Sequence, residues 1–192
     1  YKYFPFDPQG YKLVLLNSQV KHDLASSAYN DRRRSCENVV AAMKRHYPGI
    51  ESLRDATYDI LNEVRSEVSE EDALRAKYVL GEKYRVLEVC VALEEGDYEE
   101  VGKKMYETHY GLSKEYEVSC PEIDFLNEVA LSCGVTGSRL MGGGFGGCTI
   151  NLVSDELYAN FVDTAKKSYK EKFGKEPIVI DVVIGDGSRK LC

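Results

Sequence analysis

Six consecutive residues, Gly142-Gly143-Gly144-Phe145-Gly146-Gly147, set five glycines around one aromatic, between Ser138-Arg139-Leu140-Met141 and the apolar run Cys148-Thr149-Ile150-Asn151-Leu152-Val153. Ordered glycine costs more conformational entropy than any other residue, so this density serves a backbone that needs positive φ or must bring bare amides close to another group. An anion, typically phosphate, is the natural partner of such amides. Gly142, Gly144 and Gly147 satisfy G-x-G-x-x-G, yet Thr149, Ile150, Leu152 and Val153 that follow favour a strand. A dinucleotide fingerprint must instead open a helix whose N-terminus holds the pyrophosphate. A Walker A loop is excluded because Gly147 is followed by Cys148 where that motif needs lysine. A plain glycine hairpin or crossover explains two or three of these glycines and not five.

Other chemistry-bearing residues are weaker. Arg32, Arg33 and Arg34 are consecutive; on a helix they point about 100° apart and cannot all reach one anion, so they are expected to be surface and capping charges. The acids Glu67, Glu70, Glu71 and Asp72 read as a solvated helix start near Ser69, where carboxylates favour the macrodipole, rather than as a metal site. The six cysteines lie far apart with no C-x-x-C pair and only three histidines accompany them, which signals neither zinc nor a disulfide framework. They are expected to be reduced thiols, with Cys36, Cys90 and Cys133 on apolar helix faces.

The elements that must position the loop follow from periodicity. Residues 11–17 form a short apolar run suited to a buried strand, and Tyr29, Cys36, Val40, Met43 and Tyr47 recur at helical spacing from about Ala25 until Pro48-Gly49 breaks the pattern. From about 53 to 112 the periodicity is helical throughout, with Gly96-Asp97 as a turn, which predicts a helical subregion. Pro121 opens a further helix whose buried face is Ile123, Leu126, Ala130 and Cys133, ended by Gly134. A strand, the glycine loop, a strand over 148–153, a helix with Leu157, Phe161, Ala165, Tyr169 and Phe173, and a β-branched strand over 178–184 complete the order. This order predicts an α+β, ferredoxin-like (α/β plait) sandwich with its helices on one side and an inserted helical subregion.

At 192 residues the chain can bury a core, and 43% hydrophobic with 30% charged residues is ordinary for a soluble protein. A net charge of −7 with dispersed basic residues argues against nucleic acid, and no apolar run reaches membrane-spanning length. The start Tyr1-Lys2-Tyr3-Phe4-Pro5 lacks a charged, then apolar, leader, so a cytoplasmic site is expected; opening on Tyr suggests a piece of something longer.

The passage SRLMGGGFGGCTINLV resembles the third conserved motif of the GHMP kinases, and of the galactokinases among them. NSQVKHDLASSAYNDRRRSCE (17–37), YEVSCPEIDFLNEVA (116–130) and the closing Asp186-Gly187-Ser188-Arg189 resemble galactokinase segments in the same order. The resemblance covers nearly the whole chain but only the C-terminal half of that family. It implies one GHMP kinase C-terminal domain over 1–192, with galactose, ATP and a missing N-terminal domain as partners. It places no catalytic residue and no metal ligand in this chain, because the sugar motif, the Ser-rich phosphate loop and the catalytic aspartate and arginine belong to the absent half. ATP and Mg would be bound mainly there, His22 would be structural, and the fragment alone would be inactive.

The resemblance further implies that Tyr29, in Ser26-Ser27-Ala28-Tyr29, lines the sugar pocket, and that the loop 142–147 supports the phosphate and sugar site. Met141 stands where galactokinases commonly carry threonine, which leaves a related hexose or N-acetylgalactosamine open as the sugar. Two alternatives share these residues: a non-catalytic, galactokinase-like sugar sensor, and a free-standing ferredoxin-like binding module.

Overall fold

The computed structural model describes residues 2–21 and 27–185, Ser27 by its backbone alone. Ala25, Ser26, His22, Cys192 and the segment 186–189 lie outside the described residues. Strand β1 (Tyr11–Asn17) leads through a helical region, α1 (Ser27–His46), α2 (Tyr58–Glu63), α3 (Glu70–Glu95) and α4 (Tyr98–Lys114), to α5 (Pro121–Ser132). Strands β2 (Gly137–Met141) and β3 (Cys148–Ser154), helix α6 (Asp155–Phe173) and β4 (Ile178–Val182) follow. The boundaries have local causes. Ser69 Oγ accepts from the Asp72 amide at the head of α3, Gly96 (φ 72°) and Gly174 (φ 75°) close α3 and α6 in the left-handed conformation, and Pro121 occupies the first turn of α5.

All pairings in the sheet are antiparallel, in the order β2-β3-β1-β4. With α5 and α6 as crossovers, this is the ferredoxin-like plait expected from the element order. Val14, Leu16 and Val153 face these two helices and share a core with Leu126, Ala130, Phe161, Ala165 and Tyr169. Phe161 and Tyr169 are wholly buried, each worth about 2–3 kcal/mol of apolar transfer. The expectation of helices on one side needs correction. Leu13 and Leu152 point to the opposite face, as strand alternation requires, and pack with Ala92, Leu93, Val101 and Met105, so the α3–α4 corner covers part of the second face. A separate core joins Val39, Ala42 and Met43 of α1 to Leu53, Leu61, Val64, Ala76 and Leu80. Packing therefore draws α1 into the helical region, which begins before the 53 suggested by periodicity.

Strand β2 is an edge, and side chains from α4 and α5 bond to backbone groups on it and just before it. Tyr106 donates to the Val135 carbonyl (2.8 Å), Asn127 donates to the Ser138 carbonyl (2.9 Å), and the Leu140 amide donates to His109 Nδ1 (3.2 Å). Helix α4 lies against this edge at backbone distance: a Cβ on Gly102 would sit 2.1 Å from the Thr136 carbonyl oxygen.

Candidate functional site

The register Met141↔Cys148 makes the six residues 142–147 the connection of the β2–β3 hairpin, with a strand and not a helix after it. Four of the five glycines take positive φ, Gly142 at 87°, Gly144 at 91°, Gly146 at 139° and Gly147 at 79°, as does Phe145 at 61°. Two seats hold this backbone. The Val118 carbonyl accepts from the Phe145 amide (2.6 Å), and the Val20 carbonyl accepts from the Gly147 amide (3.2 Å). The same carbonyls explain the missing side chains, since a Cβ on Gly144 would lie 2.3 Å from Val118 O and one on Gly146 2.7 Å from Val20 O. Ser18 closes the second seat by donating its amide (2.9 Å) and hydroxyl (2.8 Å) to the Gly147 carbonyl.

Backbone strain gathers around this loop. Among the described residues three non-glycine positions have positive φ: Phe145 in the loop, Gln19 (57°) beside Val20, and Glu117 (53°) beside Val118. Each costs on the order of 1–2 kcal/mol for an L-residue, and such costs persist where surrounding structure over-determines the geometry. Both seats are thus shaped by a left-handed residue immediately before the carbonyl that grips the loop.

The loop divides in two. Gly144 and Gly146 are buried and Phe145 and Gly147 half-buried, whereas Gly142 and Gly143 are exposed on the rim of an open groove of about 1260 Å³ between α1, α3 and the loop. Tyr29 lines the same groove, so the structure brings the expected tyrosine and the tip of the expected loop together. It does not bring Gly144, Phe145, Gly146 or Gly147 to that surface; these form the anchored stalk. The groove wall is largely apolar, with Val40, Val79, Val86 and Leu87. Cys36, also there, lies 3.9 Å from the Tyr116 hydroxyl, and burial pushes its thiol up, so it is protonated at neutral pH and offers no thiolate nucleophile.

The arginine triplet separates as expected for two of its members and not for the third. Arg33 pairs with Glu37 (2.7 Å) and Arg34 with Asp31 on the exposed side of α1. Arg32, three residues and therefore one turn from Tyr29, has a side chain only 14% exposed. It donates to the Tyr116 carbonyl (3.0 Å) and the Glu117 carbonyl (2.5 Å), and its guanidinium lies 5.6 Å from the Phe145 ring centroid. Arg32 and the seats at Val20 and Val118 were missed by sequence reasoning; the one available signal was the i, i+3 spacing of Tyr29 and Arg32.

A second network fixes the strand that delivers the loop. His109 Nδ1 accepts from the Leu140 amide, so its ring proton sits on Nε2, which faces Asp124 Oδ1 at 3.3 Å. Burial raises the Asp124 carboxyl, but hydrogen bonds from His109, Ser119 and Ser113 outweigh it and bring its pKa down to about 2. Ser119 adjoins the Val118 seat, so Asp124 ties β2 and that seat to the same helix. The acids of the α3 start are engaged: Glu67 with Arg45 and His46, Glu70 with Arg65, Glu71 with Arg75, and Asp72 with Asn38. Among the described residues no three histidine, cysteine or carboxylate side chains converge on a metal-sized site, and no helix is long and apolar enough to cross a membrane.

Residues 90–170 match the family model "GHMP kinases C terminal". The plait, the glycine hairpin and this match define the C-terminal domain of a GHMP kinase, and the chain belongs to that family. Within it, the chain falls with the galactokinases. It is 40% identical to the galactokinase of Clostridium beijerinckii over 100% of this chain and 49% of that protein, and 42% identical to the galactokinase of Homo sapiens over 94% of this chain and 44% of that protein. The solved Lactococcus lactis galactokinase complexed with galactose superposes with a TM-score of 0.89 at 28% identity, over 97% of this chain and 48% of that one. The chain spans about half the length of the relatives it matches. Likeness along the whole chain disfavours an unrelated ferredoxin-like binding module.

Proposed function

We propose that this chain is the C-terminal half of a galactose kinase, and that the intact enzyme moves the γ-phosphoryl group of ATP to the anomeric hydroxyl of galactose, giving galactose 1-phosphate and ADP in the cytoplasm. One observation carries the reading: Tyr29 and the exposed Gly142–143 tip face one groove, in a chain similar along its length to a galactokinase solved with galactose. The Tyr29 phenol supplies a hydrogen bond and a flat apolar face suited to a sugar ring. The exposed backbone at Gly142 and Gly143 supplies amide donors where phosphate charge develops, and this kind of transfer depends on positioning and charge neutralisation more than on covalent help.

The metal and most of the ATP contacts, with the proton-transfer groups, are assigned to the other half of the enzyme, as the likeness to the C-terminal half of galactokinases implies. Val86 and Leu87 support a covering partner, since they are 59% and 60% exposed beside the groove. Apolar surface of this kind marks an interaction face, and the N-terminal half is its proposed occupant.

The test is galactose-dependent ADP release by the intact enzyme and its Tyr29→Phe variant. Loss of one hydrogen bond to the sugar raises KM for galactose up to about tenfold, with the melting temperature unchanged because Tyr29 is half exposed. An unchanged KM would remove Tyr29 from the sugar site, and no turnover of galactose by the intact wild type would remove the kinase assignment.

A further inference from the structure

We propose that Arg32 is a positioning residue that sets the conformation of the glycine loop and couples it to the helix carrying Tyr29. The part of this concerning turnover rests on the kinase reading above; the part concerning loop geometry does not. Of the three left-handed non-glycine residues among the described positions, two, Glu117 and Phe145, are in contact with this one side chain. Its fork takes the carbonyls of Tyr116 and Glu117 while its cationic carbon lies over the Phe145 ring, 5.6 Å from the centroid. Between them sits the Val118 carbonyl, which accepts the Phe145 amide. One guanidinium therefore spans both sides of the joint, seat and loop, and its own helix presents Tyr29 one turn away.

The bracing is itself braced. The Glu117 carboxylate lies 3.7 Å from Arg32 and 3.1 Å from Arg75, and Arg75 is nearly fully buried and donates to Ser35 of α1 at 2.9 Å. Helices α1 and α3 thus hold the Glu117 bend from two directions. Lysine cannot replace Arg32 here, because a single compact ammonium cannot span two carbonyls from separate nitrogens and still lie over the ring. The strained φ values at Glu117 and Phe145 are retained because the same side chain binds what they present.

The experiment compares Arg32→Lys, Arg32→Gln and the control Arg34→Gln, which loses only an exposed pair to Asp31. Hydrogen exchange over residues 141–148 of the intact, ligand-free kinase reads loop geometry, and steady-state kinetics read its consequence. Exchange at the loop is expected to quicken about tenfold or more in both Arg32 variants, and kcat to fall about 10- to 100-fold with KM for galactose changing far less. The control leaves both unchanged. Unaltered loop protection in the Arg32 variants overturns the inference whatever the enzyme does. A loosened loop with normal kcat overturns the link to turnover, whereas a loosened loop in a protein that phosphorylates no galactose overturns the kinase reading and leaves the positioning role standing. Should the Arg32 variants not fold, Phe145→Leu removes the ring under the guanidinium and leaves the carbonyl contacts. It must then quicken exchange at the same peptide, and unchanged protection counts against the inference.

Discussion

Adding one methyl group at Gly144 is expected to separate the glycine loop from its seat, and the effect can be calibrated within the loop. At Gly144 the backbone sits at φ 91° and a Cβ would stand 2.3 Å from the Val118 carbonyl oxygen, about an ångström short of ordinary contact. The oxygen is backbone and a Cβ is fixed rigidly to backbone, so neither moves cheaply. The left-handed conformation costs alanine about 1–2 kcal/mol, and displacement of the loop loses the Phe145 amide hydrogen bond, worth about 1 kcal/mol. Gly144→Ala should therefore destabilise by about 3 kcal/mol, a fall in melting temperature of roughly 6–12 °C for a domain of this size. Gly142→Ala shares the conformational cost at φ 87°, but nothing lies within 4 Å of its Cβ, so about 1–2 kcal/mol is expected there. Thermal melts of the two variants supply the comparison, and, on the kinase function proposed above, galactose-dependent ADP release by the intact enzyme supplies the functional one. An ångström of misplacement near reacting groups costs on the order of 100-fold in rate, which Gly144→Ala should show. Equal stabilities for the two alanines would refute the account of the Val118 seat, since only the contact and not φ distinguishes them.

Asp124 gives the pH dependence. Its folded pKa of about 2 lies below the ordinary aspartate value of 3.8, so its contribution is present above about pH 4 and is lost as pH falls through 2; the difference amounts to about 2 kcal/mol. Asp124→Asn should lose that amount at neutral pH and flatten the acid limb of stability, measured as the urea midpoint from pH 2 to 7; an unchanged limb would show that the carboxylate is not held by His109, Ser113 and Ser119. Gly102→Ala is expected to force α4 away from β2, because its Cβ would meet the Thr136 carbonyl oxygen at 2.1 Å, at a cost of about 3 kcal/mol by overpacking. A urea midpoint equal to wild type would mean that the helix and strand are not in backbone contact.

What could be read from sequence was what leaves a chemical or periodic mark. Strand β1 was legible to the residue because an apolar run is bounded on both sides, and α5 because proline and acids open it. The last strand was expected to reach Ile184 but pairs only to Val182, since β-branched composition says that a segment can be a strand and not where its partner ends. The second face of the sheet was not foreseen, because continuous apolar residues in β1 fit burial on one face or two.

The site itself is a convergence of positions near 18–20, 29–32, 116–118 and 142–147, and only the last is conspicuous in sequence. Glycine advertises a backbone that must pass close to another, since the requirement is met by the absence of a side chain. The complementary half of that requirement, a carbonyl held in the right place, can be met by any residue; Val118 and Val20 carry no signature of it. Left-handed Glu117 and Gln19 are equally silent, because neither residue type announces its conformation: Arg32 takes the Glu117 carbonyl, and Asn17 Oδ1 accepts from the Gln19 amide. Three consecutive arginines look equivalent until tertiary structure selects one. Helical geometry restricts how many of them can share a target but cannot say which, and that choice is made by a loop more than 80 residues further along the chain.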